Sequence, residues 1–173
     1  LPLVVGRATR LASLLSQGDK VYSAVFLLGV VTDTYDITGQ VVSDVLRRVV
    51  RPMDLETIEG VSRRFVGTFS QTPPPYSAKK IGGVRAYRLA RKRLPVKPKP
   101  VSVTVRELEV QELNGERLRC RVTCTPGFYV RSLAHDLGKA LSCGACVDDL
   151  RRERNGPFGL DRAVTLELLE REQ

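Results

Sequence analysis

Apolar and polar positions alternate along this chain in two rhythms, one of helices and one of strands. Leucines at 11, 14 and 15 predict a short amphipathic helix over Ala8 to Leu15, packed on the core. Val21 to Leu28 is rich in β-formers and stops at Gly29, which predicts a strand. The string Thr32 to Gly39 is dense in Thr, Asp and Gly, the mark of a structured loop whose carboxylates face a site or cap backbone groups. Asp54 heads a helix carrying Leu55, Ile58, Val61, Phe65 and Val66 at three- and four-residue spacing, and the run stops at Gln71-Thr72-Pro73-Pro74-Pro75. From there to Pro100 the chain reads as basic loop. Val101 to Leu113 alternates, Asn114-Gly115 signals a two-residue hairpin, and Arg117 to Cys124 returns as the second strand. A helix from about Arg131 stacks Leu133, Leu137 and Leu141, with Gly138 near its end, and Thr165 caps a last amphipathic helix. Strands mixed with helices, without a βαβ rhythm, predict an α+β fold.

Composition sharpens this picture. The 173 residues suffice for one domain, and 28 Lys+Arg against 19 Asp+Glu leave a net charge of +9, which points to a polyanionic partner. No apolar run approaches the ~20 residues that span a bilayer, so the expectation is a soluble cytoplasmic protein. The chain opens on Leu1 and its only methionine is Met53, which places the expected start of the gene product upstream. Cys120 and Cys124 sit in phase on one strand face as core lining. Cys143 and Cys146 have zinc-knuckle spacing, but a regular strand carrying the other two does not fold as a knuckle, so all four read as reduced structural thiols and no metal is expected. Walker, dinucleotide-fingerprint and zinc-protease motifs are missing, which removes those chemistries.

Candidate chemistry gathers at a few residues. Arg131 falls in the first turn of its helix, where a cation opposes the macrodipole by ~0.3–1 kcal/mol unless an anion answers it. Asp36 and a carboxylate upstream of Leu1 are the two candidates, and a solvated surface arginine is the alternative. Tyr22 reads as a core aromatic with its hydroxyl at the rim. His135, the only histidine, has no nucleophile partner or metal-ligand spacing and reads as structural or surface. The stretch 76 to 99 carries Lys79, Lys80, Arg85, Arg88, Arg91, Lys92, Arg93, Lys97 and Lys99, interleaved with Tyr76 and Tyr87. It combines phosphate-seeking cations with rings that stack on unpaired bases, the pattern of an RNA-facing loop, with a solvated linker as the alternative.

Four separate stretches match one family. Thr32-Asp33-Thr34-Tyr35-Asp36-Ile37-Thr38-Gly39-Gln40-Val41 resembles the T-D-T-x-D-x-x-G-x-V motif of the TruB pseudouridine synthases. Gln71 to Lys80, with Gly83 and Tyr87 to Arg91, is similar to that family's Q-x-P-P-x-Y-S-A-x-K...G...Y-x-x-A-R stretch. Cys124 to Leu133 with Asp136-Leu137-Gly138 is similar to C-x-x-G-T-Y-I-R-x-L...D-L-G, and Leu150-Arg151-Arg152 with Gly156-Pro157-Phe158 to L-R-R...G-x-F. The resemblance implies a pseudouridine synthase fold, a mixed and largely antiparallel sheet flanked by helices. It implies isomerisation of uridine-55 in the T-loop of tRNA to pseudouridine, without metal or organic cofactor, on a base flipped out of its stack. An aspartate acts as nucleophile in that chemistry.

By position, the resemblance makes Tyr22, Arg131 and Asp36 the catalytic residues: Tyr22 stacks on the flipped base and is implicated in removing the C5 proton, Arg131 pairs with the nucleophile, and Asp36 is the acidic member of the network. Tyr129 and Leu150 line the pocket, and Tyr76, Lys79, Lys80, Arg85 and Tyr87 belong to a loop, about 74 to 100, that closes over RNA. The partner is the tRNA T-arm, the state expected is monomer, and no membrane is involved. The family's nucleophile lies in a G-x-L-D-x-x-A-x-G motif just before a Leu-Pro-Leu like Leu1-Pro2-Leu3, and no G-x-L-D occurs in this sequence. The expectation is an N-terminally incomplete catalytic domain over 1–173 with no PUA domain, inactive by itself. A noncatalytic RNA-binding relative and a guide-dependent, dyskerin-type rRNA synthase are the alternatives.

Overall fold

A computed structural model of the chain describes residues 2–43, 53–92, 94, 96 and 98–171, so that Leu1, Arg93 and Lys97 of the readings above lie outside the described residues. The strands are β1 (Lys20–Leu28), β2 (Val31–Thr32), β3 (Val41–Ser43), β4 (Gly67–Gln71), β5 (Lys80–Ile81), β6 (Val84–Arg85), β7 (Val101–Asn114), β8 (Arg117–Cys124), β9 (Ala145–Asn155) and β10 (Phe158–Gly159). The α-helices are α1 (Ala12–Leu15), α2 (Leu55–Ser62), α3 (Ala86–Arg91), α4 (Val130–Ala140) and α5 (Leu166–Arg171). Six strands form one antiparallel sheet in the order β10-β9-β1-β8-β7-β4, an α+β architecture as the alternation predicts.

One face of the sheet is the core. Phe26 and Leu28 of β1, Leu118, Cys120 and Val122 of β8 and Val103 and Val105 of β7 meet Leu133 and Leu137 of α4 in a single apolar cluster. The opposite face carries ion pairs. Arg117–Asp148 at 2.9 Å and Arg121–Glu153 at 3.0 Å reach from β8 to β9 across β1. Both acidic partners sit at register shifts of the β1–β9 ladder, where an extra residue bulges out of β9. The four cysteines are buried and free, and burial pushes the Cys120 and Cys124 thiols up to about 12 and Cys146 to about 11, which makes them packing groups rather than thiolates.

Three expectations need correction. The segment before β1 is a 3-10 turn followed by only four α-helical residues, and Leu11 and Leu14 stay exposed, so it does not pack its leucines on the core. The helix capped by Asp54, whose carboxylate accepts the Thr57 amide at 2.8 Å, ends at Ser62 rather than at the prolines. Gly67, at φ +97°, turns the chain into β4, where Thr68 and Phe69 follow strand rather than helix preference. The basic stretch is not a plain loop, since Gly82-Gly83, both at positive φ, close the β5–β6 hairpin and α3 follows directly. β9 itself carries no strand rhythm, because its two bulges break the alternation.

Candidate active site

The polar loop between β2 and β3 is held by its own side chains. Asp33 accepts the Gln40 amide at 2.8 Å, and Asp36 accepts the Thr38 amide and hydroxyl at 3.1 and 2.7 Å. Thr32, fully buried, bonds the Asp36 amide at 3.0 Å and donates to its carbonyl at 2.8 Å. The loop docks on the start of the β9 core segment through Ile37 N–H to Val147 O at 2.7 Å and Val147 N–H to Tyr35 O at 3.0 Å. The carboxylates of this loop therefore act as caps.

Arg131 reaches this loop, though not through a carboxylate. Half-buried in the first turn of α4, it donates to the Tyr76 carbonyl at 3.1 Å and to the Thr34 carbonyl at 3.5 Å, and among the described residues it forms no ion pair. Asp36, the acid expected opposite it, is engaged with Thr38 instead. Two carbonyl dipoles satisfy part of a five-donor guanidinium and leave its charge uncompensated, which suits it to receive an anion. Beside it an open cleft of about 410 Å³ runs between Asp33, Thr34 and Gln40 on one wall and Tyr76 and Arg91 on the other.

The start of α4 is fixed from β4. Gln71, fully buried at the end of that strand, donates from Nε2 to the Tyr129 carbonyl at 3.1 Å and accepts the Tyr129 amide on Oε1 at 2.9 Å, while Ser132 donates to the Thr72 carbonyl at 2.7 Å. One side chain thus satisfies both peptide groups of the residue that precedes α4. Gln71→Leu is expected to orphan the Tyr129 amide, at about 1–3 kcal/mol, and to lower the urea midpoint accordingly, while the Tyr129 carbonyl keeps the Leu133 amide at 3.1 Å. An unchanged midpoint would show that the Tyr129 amide finds another partner.

A second cluster lies on β1 and β9. Tyr22 is half-buried against the core cluster, and its register partners on the neighbouring strands are Val122 and Arg152. Burial pushes its hydroxyl above the usual phenol range, and the Arg152 guanidinium beside it pulls partly back. Leu150 pairs with Ala24, two residues along the same face, and is 41% exposed, an uncovered leucine in a strand of charged residues. The bulge at Asp148 decides this: without it Asp149 and Arg151 would take the places of Leu150 and Arg152 beside Tyr22.

On the basic segment, Lys79, Lys80 and Arg85 are exposed, and Lys80 stands directly opposite Arg85 across the β5–β6 pair. Tyr76 and Tyr87 are half-buried, and the Arg91 guanidinium lies 5.5 Å above the Tyr87 ring. Hydrogen bonding from Arg88, with the neighbouring guanidinium charges, holds the Tyr87 phenol below its usual range.

With this geometry in place, comparison with known proteins decides the family. Residues 1–130 match the model of the TruB family pseudouridylate synthase N-terminal domain, and residues 131–173 match that of the tRNA pseudouridylate synthase B C-terminal domain. The chain belongs to the TruB family. It is 45% identical over 170 residues to tRNA pseudouridine synthase B of Solibacter usitatus (strain Ellin6076), covering 98% of this chain and 57% of that one. It is 43% identical over 171 residues to tRNA pseudouridine synthase B of Stutzerimonas stutzeri (strain A1501), covering 99% and 55%. The chain therefore spans little more than half the length of these curated relatives. Among solved structures, a chain of a Cbf5-Nop10-Gar1 complex superposes with a TM-score of 0.68 at 28% identity, covering 96% of this chain and 40% of that one.

Set on the TruB fold, the quoted motifs fall at the two clusters: the T-D-T-x-D loop and the G-x-Y-x-R segment meet at Arg131, and Tyr22 meets the L-R-R strand. Two residues of the candidate site, Arg152 and Gln71, stand in the sequence only as letters of those motifs. Arg152 announces itself by no spacing, because the bulge that turns it toward Tyr22 is invisible in the sequence. Gln71 stands before three prolines and looks like a helix end, yet it is a buried clamp; a polar residue ahead of a proline run was the one available hint.

Proposed function

We propose that this chain carries the base-isomerising core of a tRNA pseudouridine synthase that converts uridine-55 of the T-loop to pseudouridine, in the cytoplasm and as a monomer. The observation that carries this reading is Arg131, a half-buried guanidinium held by two carbonyls and left without a carboxylate among the described residues. Such a group fits beside a nucleophilic aspartate. In the reaction the N1–C1′ glycosidic bond breaks, the uracil turns, C5 joins C1′ of the ribose, the C5 proton leaves to solvent and N1 takes a proton from solvent, so that the product is an isomer of the substrate. Tyr22 offers an apolar ring for stacking and an O–H at the rim, Leu150 an uncovered apolar neighbour, Tyr129 a wall, and Asp36 the order of the loop that Arg131 grips. The 45% identity with tRNA pseudouridine synthase B relatives, against 28% with the Cbf5 chain, favours a tRNA substrate over a guide-dependent one.

The β5–β6 hairpin supports RNA as the partner. Like charges directly opposite each other on paired strands are destabilising, and Lys80 faces Arg85 with no acidic residue between them. A phosphate relieves that repulsion. The paired substitution Lys80→Ala with Arg85→Ala is expected to weaken T-arm binding and to reduce the slope of log affinity against log salt by about 0.7–0.9 per lost phosphate contact, read by filter binding at several salt concentrations. An unchanged slope would place the hairpin away from RNA.

The deciding experiment is tritium release from tRNA labelled at uridine C5, with the modified position mapped chemically. Release from position 55 supports the reading, and none, with the full-length protein, overturns it. The polypeptide of these 173 residues by itself is expected to release none, because none of its described carboxylates stands on Arg131.

A further inference from the structure

A ring stack flanks the Thr34–Arg131 contact. The Tyr35 ring lies flat on the imidazole of His135, with centroids 3.9 Å apart and planes 9° from parallel. Tyr35 sits at φ +61°, a left-handed conformation that a bulky residue adopts only when its surroundings impose it. Replacing it by glycine would relieve that backbone, so the ring must supply something in return. Its preceding residue is Thr34, whose carbonyl receives the Arg131 guanidinium.

Arg131 and His135 are four residues apart on α4, hence on the same face of the helix. One helix face therefore grips two consecutive loop residues, Thr34 through the guanidinium and Tyr35 through the imidazole. The His135 ring makes no polar use of its buried nitrogen: Nδ1 has no hydrogen-bond partner. Desolvation, with Lys139 one turn further along, holds the imidazole below its ordinary pKa, so it packs as a neutral slab. At 3.5 Å the Thr34–Arg131 bond is long, too weak by itself to hold the loop in register with the helix.

We propose that His135 is a positioning residue: stacked on Tyr35, it fixes the Thr34 carbonyl against the Arg131 guanidinium and so holds that guanidinium where it meets the nucleophilic aspartate. The inference rests on the reading of Arg131 given above. It extends that reading by two side chains that do not touch the substrate themselves.

The test uses the full-length protein in single- and multiple-turnover tritium release. His135→Ala is expected to lower kcat by about 10-fold or more with KM within about twofold, since a displaced catalytic group costs rate rather than binding. His135→Phe, which keeps a flat ring, is expected to recover most of the loss. Tyr35→Gly, which suits the positive φ but removes the ring, is expected to match His135→Ala, and the double variant to be no worse than either single one. Proton NMR gives a reading independent of turnover: the ring-current-shifted imidazole C–H resonances that His135→Ala removes should return toward ordinary positions in Tyr35→Gly. Singles that keep kcat within about twofold, a Phe variant as poor as Ala, or additive losses would each overturn the inference while leaving the synthase reading intact. A wild type that turns over no tRNA overturns both.

Discussion

Tyr22→Phe is expected to lower the rate of C5 proton release by about 10²–10⁴-fold, the range typical of a lost proton-transfer group, and to leave T-arm binding nearly unchanged. The ring sits half-buried in β1 between β8 and β9, and phenylalanine fills the same space. What the change removes is the hydroxyl beside Arg152. Burial holds that hydroxyl above the usual phenol range, so at neutral pH it is a phenol whose passage to the basic form depends on the neighbouring guanidinium. The variant separates stacking from proton transfer, because only the second is lost. Because phenylalanine keeps the packing of the ring and only the hydroxyl beside Arg152 is lost, stability should change by about 1 kcal/mol. Single-turnover tritium release beside a binding curve decides the matter: a rate equal to wild type would leave Tyr22 as a wall of the pocket and nothing more.

Gly138→Ala is expected to destabilise the protein by about 3 kcal/mol, the upper part of the range for overpacking, although intrinsic helix propensity alone would make alanine the better residue by about 1 kcal/mol. The sign is therefore diagnostic. A Cβ on Gly138 would run into the backbone nitrogen of Ala145 and the carbonyl carbon of Gly144, which are main-chain atoms with no rotamer to yield. The Gly138 carbonyl also accepts the Cys143 and Gly144 amides at 3.0 and 2.8 Å, so helix and following turn are locked at this point. To admit the methyl group, α4 must lift away from β9. Because α4 carries Arg131 and His135, activity should fall along with the melting temperature, and a stabilised, active alanine variant would mean that the helix does not pack this closely.

Much of the fold was legible because local rules decided it. The β7–β8 hairpin follows from alternation, although its turn residues are Gly115 and Glu116, with Asn114 already paired to Arg117. Asp54 caps α2, and Thr165 bonds the Leu168 amide at 3.3 Å at the head of α5, as their types predict. The Ala8 to Leu15 helix shortened because its leucines found no core to meet, and β4 was hidden behind a helical apolar spacing that Gly67 interrupts.

Of the candidate site, the sequence by itself determined the membership: the motif residues, the basic segment, and a cation in the first turn of α4 that demands an answer. These follow from residue type and spacing. Only the tertiary structure decided how they meet. The loop carboxylates turned inward to cap Gln40 and Thr38, because a tight loop must first satisfy its own amides, and Arg131 consequently rests on carbonyls. A single extra residue at Asp148 exchanged the faces of β9, bringing Leu150 and Arg152 rather than Asp149 and Arg151 to Tyr22. Strand period fixes which residues share a face, but a bulge is set by pairing with a partner strand far away in the chain, and no local pattern encodes it.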